Sequence, residues 1–207
     1  AEEEERLKAQ QKACEILQEY SDLEYWLNYQ DFIDDRTAEY ELEELKVVAQ
    51  EITAECSTDY ECIYAVAKYV SEEIYYDYKY YYGASNVLSL SAYDVYTSKK
   101  TICDGYERLC RTFLRLLEIP CMKIAGDNHS YNAAYDSENA KWIFFDATWM
   151  SANVYTVNDE WIKEESYSFY FDMTPEFMAS LRSHEIYDAG GLGDGQLYYT
   201  LNTNESE

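Results

Sequence analysis

Histidine is almost missing from this 207-residue sequence, occurring only as His129 and His184. Any imidazole chemistry therefore runs through one or both. Cys, His and Asp are all acceptable zinc ligands, but no Cys-x-x-Cys or His-x-x-x-His spacing supplies a set, so no metal is expected. A GxGxxG loop, a Walker-type GxxxxGK(S/T) and low-complexity repeats are also absent, and no cofactor is expected. No apolar run approaches the roughly 20 residues that a spanning helix needs, which excludes membrane insertion by that route. Basic residues are scarce: 16 Lys plus Arg stand against 41 Asp plus Glu, a formal net charge of -25. That balance opposes nucleic acid and anionic lipid as partners and leaves cationic or neutral polymers. It also suits a protein kept soluble after export. The chain opens on Ala rather than Met, so a processed, extracytoplasmic protein, secreted or at the cell surface, is the expectation. Its length fits one well-cored domain.

Six cysteines, Cys14, Cys56, Cys62, Cys103, Cys110 and Cys121, follow no regular disulfide framework. Cys56 and Cys62 are placed to pair across a helix junction, which the sequence leaves open. Cys110 and Cys121 read as small core hydrophobes. Cys103 is different. It precedes a helical pattern in which Tyr106, Leu109, Cys110, Phe113 and Leu117 recur at three- and four-residue spacing, closed by Pro120. Thr101 with Asp104 resembles a capping box, so Cys103 falls in the first turn. Unpaired N–H groups and the helix dipole there favour a thiolate, although Asp104 opposes it locally. A second positive group is needed, and His129 is available.

His129 opens HSYNAAYD, an alternating run after the Gly126-Asp127-Asn128 turn, and KWIFFDATW follows the turn from Asp136 to Asn139. Pairing of the two as a hairpin brings the start of the first strand near the end of the second, where Asp146 lies. Asp146 then accepts from one imidazole nitrogen, and the other faces Cys103.

These three blocks resemble the transglutaminase-like superfamily, in its bacterial, papain-like thiol-enzyme form. Its motifs stand here as Cys103-Asp104-Gly105-Tyr106, as His129-Ser130-Tyr131-Asn132, and as Trp142 through Asp146, Thr148 and Trp149. Tyr131 replaces a frequent Trp, and Thr101-Ile102 replaces a small or glycine-containing lead-in. The resemblance implies an α+β fold: a papain-like core with Cys103 at the N-terminus of a central helix packed on an antiparallel sheet. It further implies Cys103 as nucleophile, His129 as general base and Asp146 as orienting acid of an acyl-transfer enzyme. The expected substrate is a protein or peptide, or a cell-surface polymer, with hydrolysis by a peptidase or deamidase favoured over crosslinking. The alternative is an inactive relative that holds a protein or glycan on a Tyr-rich surface.

The remainder is organised around that core, with residues 1–56 an N-terminal helical region, 57–189 the catalytic core and 190–207 a Gly-rich tail. A first helix from about Glu2 to Tyr29 carries Leu7, Cys14, Leu17, Trp26 and Leu27 on a stripe broken by Gln10, and reads as a peripheral helix or exposed stalk. A second runs from about Thr37 to Cys56 on Leu42, Leu45, Val48 and Ile52. A third, capped by Thr58 and Glu61, carries Ile63, Val66, Ala67, Val70 and Ile74 and leads to Tyr76-Asp77. Tyr78 to Tyr82 reads as an aromatic loop, part substrate wall and part packing, ahead of a short helix from Ser91 to Tyr96. Thr174-Pro175 starts a helix to about Leu181, and His184 beyond it reads as structural.

Overall fold

A computed structural model describes residues 1–19, 33, 34 and 36–190. Among the described residues, three helices precede the first strand: α1 (Glu2–Glu19), α2 (Glu39–Ile52) and α3 (Asp59–Glu73). Then come β1 (Tyr75–Asp77), α4 (Tyr78–Tyr81), α5 (Ala92–Ser98), β2 (Lys100–Thr101) and α6 (Cys103–Leu116). The second half holds β3 (Cys121–Gly126), β4 (His129–Asp136), β5 (Lys141–Phe145), α7 (Ala147–Met150), β6 (Val154–Tyr155) and β7 (Trp161–Ile162). It ends with α8 (Pro175–Ala179), a 3-10 turn (Arg182–His184) and β8 (Asp188–Gly190). The expected α+β class is what these elements make.

The principal sheet is antiparallel, in the order β5-β4-β3-β8. Its central strand β4 is buried from Ser130 to Asp136 because both faces are covered, as period-2 alternation allows. Ala134, Ile143 and Phe145 point into one core with Tyr106, Leu109 and Phe113 of α6 and with the apolar faces of α2 and α3. Tyr131, Ala133, Tyr135, Trp142 and Phe144 point into a second core with Cys14 and Leu17 of α1 and Met178 of α8. Helix α1 is therefore neither peripheral nor a stalk. Gln10, which breaks its apolar stripe in the sequence, is itself buried and hydrogen-bonded to backbone. The continuation of that helix through Trp26 and Leu27 lies outside the described residues, as does the tail beyond 190. A Gly190 edge is seen in β8.

Short strands build a second sheet, β2-β1-β6-β7, that the sequence does not announce. β1 runs parallel to both β2 and β6, through strands of two or three residues. Such lengths show no alternation to read. The α3 N-terminus forms as expected, with Thr58 Oγ1 accepting from Glu61 N–H at 3.2 Å, while the Glu61 carboxylate turns to Ser57 N–H at 2.7 Å. Tyr78 to Tyr81 are a single helical turn rather than a loop, because Asp77 Oδ1 caps Tyr80 N–H at 3.0 Å. Thr174 caps α8 in the same way, through Phe177 N–H at 3.2 Å. All six cysteines are free thiols. Cys56 and Cys62 lie thiol to thiol, and burial together with the Cys56 thiol pushes Cys62 up to about 11.

Candidate active site

Cys103 is the first residue of α6, so its N–H has no partner within the helix. The start of that helix is not held by the capping box that Thr101 and Asp104 suggest. Thr101 is buried in β2 and donates its hydroxyl to Ser89 C=O at 2.6 Å, and the N-cap is Ile102, without a side-chain bond. Contact replaces capping. A Cβ on Gly105 would lie 1.9 Å from Thr101 Oγ1, so only glycine lets the first turn of α6 sit down on β2. Asp104 is matched elsewhere, accepting from Ser130 Oγ at 2.7 Å and Lys123 Nζ at 3.0 Å. Burial raises its carboxyl pKa, but Ser130 and Lys123 outweigh that and hold it low.

The hairpin brings His129 to Asp146 as its register requires. Asn132 stands opposite Phe145, so Asp146, the next residue, emerges at the His129 end. Asp146 is fully buried and is the N-cap of α7, accepting from Trp149 N–H on Oδ1 at 3.1 Å. Its Oδ2 lies 2.6 Å from His129 Nε2. That leaves Nδ1 free of the carboxylate, and the Cys103 thiol is near enough to the ring to favour its protonated form. His129 and Asp146 are thus joined by a hydrogen bond, with Cys103 an electrostatic neighbour of the ring.

A fourth residue joins them. His184 is fully buried, and its Nε2 lies 2.7 Å from the same Asp146 Oδ2. The sequence suggests a structural residue, and the structure sets its ring on the same carboxylate that His129 meets. Trp149 meets it edge to face at 4.6 Å. Scarcity of histidine was the one signal that pointed to it. His129, Asp146 and His184 also offer three donor atoms within 4.8 Å of one another. The 2.6 and 2.7 Å N···O separations are those of hydrogen bonds, whereas ligands of a tetrahedral zinc lie about 3.3 Å apart given bonds of roughly 2.0–2.1 Å.

Burial lowers the basicity of His129, but the Asp146 carboxylate and the Cys103 thiol outweigh it and raise the ring to about 10. Burial likewise raises Asp146, and the two imidazoles overcome this and hold it at about 2. Both shifts carry a stability consequence. The His129 contribution is complete below its ordinary 6.5 and is lost as pH rises through about 10. The Asp146 contribution is complete above its ordinary 3.8 and is lost as pH falls through about 2. Urea unfolding is expected to show wild-type stability falling from about pH 6 to about pH 9 by more than in His129→Ala, and parallel curves would contradict the pairing.

His129 stands at one side of a cavity of about 580 Å³ whose walls include Tyr76, Tyr78, Tyr81, Tyr82, Trp149 and Tyr167. No Asp, Glu, Lys or Arg lines it among the described residues. The aromatic run is thus both wall and packing: Tyr76 stacks near Tyr106 in the core, whereas Tyr81 and Tyr82 are exposed.

The family profile described as the transglutaminase-like superfamily matches residues 46–163. No curated protein matches the chain. Solved structures similar to it include a candidate cysteine protease from Cytophaga hutchinsonii, at 22% identity over 59% of this chain and 41% of that one, with a TM-score of 0.44. Another is a TGase, at 15% identity over 66% of this chain and 40% of that one, also with a TM-score of 0.44. The chain spans about two-fifths of the length of these structures.

Proposed function

Because the chain belongs to the transglutaminase-like superfamily, we propose that Cys103, His129 and Asp146 are the catalytic triad of a thiol acyl-transfer enzyme acting on peptide or glutamine amides. The observation that carries this reading is the His129 ring, bonded to Asp146 through Nε2 and held protonated by that carboxylate and the Cys103 thiol. An imidazolium beside a thiol favours the thiolate, which is the nucleophile. The sulfur attacks the amide carbonyl carbon, forming a C–S bond. His129 Nδ1 gives its proton to the leaving nitrogen as the C–N bond breaks, and ammonia or an amine departs. The Cys103 N–H at the head of α6 is a donor for the developing oxyanion.

Water then attacks the thioester, with His129 accepting its proton and returning it to sulfur. We favour water over an amine because bulk water competes with any amine at a site that does not exclude it. The uncharged aromatic cavity suits a neutral carboxamide flanked by apolar groups. The deciding experiment incubates the protein with a glutamine-containing peptide and a labelled primary amine. Ammonia or chain cleavage without label incorporation is expected. Stoichiometric incorporation would make the enzyme a crosslinker, and no turnover with any peptide would favour a binding module using the exposed Tyr81 and Tyr82.

A further inference from the structure

The turn that carries His184 is tied down from three directions. From α1, Gln10 clamps its backbone twice, Nε2 donating to His184 C=O at 2.9 Å and Oε1 accepting from Ile186 N–H at 2.9 Å. From β4, the Tyr131 hydroxyl donates to the same His184 C=O at 2.6 Å. From β3, Gly126 approaches so closely that a Cβ there would lie 2.1 Å from Ser183 C=O. Arg6 of α1 adds an ion pair to Glu185. Among the described residues, the only buried carboxylate that the imidazole meets is Asp146. These ties converge on one ring and, through it, on one oxygen.

We propose that His184 is a positioning residue that fixes the Asp146 carboxylate for His129, and that α1, through Gln10, holds His184 in place. The inference rests on the triad reading above for its catalytic meaning. Both the His184 turn and α1 lie outside residues 46–163, so the site is supported by parts of the chain beyond the matched family segment. With Oδ1 occupied by Trp149 N–H and Oδ2 shared by two imidazoles, the carboxylate has one orientation in which all three donors are satisfied. Loss of His184 frees it to rotate away from His129. The titratable groups facing the two rings are Cys103 from α6, Asp146, Tyr131 from β4 and Tyr170.

A matched control exists on the same helix. Gln18 also clamps backbone twice, at Trp142 N–H and C=O, each at 2.8 Å, but on β5 rather than at the His184 turn. The test is ring-nitrogen NMR on the ¹⁵N-labelled full chain, in which two histidines give two sets of resonances. It is paired with the rate of Cys103 alkylation by iodoacetamide. Gln10→Ala and His184→Leu are expected to lower the proton affinity of His129 by about tenfold or more, since the ring loses the carboxylate that raises it, and to slow alkylation by a similar factor. Gln18→Ala and His184→Gln, which keeps a donor toward Asp146, stay near wild type in both. If Gln10→Ala fails to fold, Gln10→Glu replaces it, keeping the acceptor for Ile186 and losing the donor to His184. A folded Gln10 variant that behaves like Gln18→Ala, or a His184→Leu protein with an unchanged or raised His129 titration, overturns the proposal. If instead His129→Ala leaves Cys103 alkylation unchanged, the thiol-enzyme reading fails, and the ring titrations still decide the positioning role.

Discussion

Cys103→Ala is expected to abolish amide turnover, by on the order of a millionfold in kcat, with a melting temperature close to wild type. The two halves of that expectation have separate causes. The sulfur is the atom that forms the covalent bond, and no other thiol stands beside His129: Cys110 and Cys121 are fully buried, and burial raises both above the ordinary thiol range. Structurally the side chain does little, being only partly buried, so packing losses are small. Steady-state hydrolysis of the peptide identified by the amine-competition experiment, together with a thermal melt, checks both. Residual turnover within a hundredfold of wild type would place the nucleophile elsewhere.

Asp146 is expected to respond in the opposite pattern, with activity and stability failing together. Asp146→Ala leaves His129 Nε2, His184 Nε2 and Trp149 N–H without their acceptor in a fully buried pocket. An orphaned buried donor costs about 1–3 kcal/mol, and breaking a buried charged pair about 3–5 kcal/mol, so the variant loses a large part of a typical domain's stability. Asp146→Asn separates the two effects. Its amide keeps the shape and one acceptor oxygen, so most of the fold survives. An amide N–H toward His129 Nε2, however, forces the ring proton onto Nδ1, facing Cys103, and the base can no longer take the thiol proton. A loss of roughly ten-thousandfold in kcat follows, the size seen when a triad histidine is held in the wrong tautomer. Activity near wild type in Asp146→Asn would remove Asp146 from the mechanism.

The three residues proposed as the triad were legible because each sits where a local pattern changes. Cys103 begins a 3.6-residue period, His129 begins an alternating run, and Asp146 ends one. The register of one hairpin then did the long-range work. What stayed hidden depends on contacts between distant segments. The double clamp of Gln10 on a turn 174 residues away leaves no periodic trace, and in the sequence the residue reads only as a flaw in an apolar stripe. His184 lies 38 residues beyond Asp146 and in no strand. Thr101 and Asp104 had the spacing of a cap, but pairing with Ser89, Lys123 and Ser130 outweighed it. The strands of the smaller sheet are too short for alternation, and their parallel neighbours lie far apart along the chain.

The coverage of the principal sheet on both sides bears on how such a chain can be cut. A fragment trimmed to residues 46–163 would shed α1, α8 and β8 at once. Met122, Ile124, Trp142 and Phe144 would then face water as a greasy strip, with β3 left as a bare border ready to recruit a neighbouring molecule. The matched segment is therefore not a portable module, and grafting it into another protein would require a replacement for the layer beneath it.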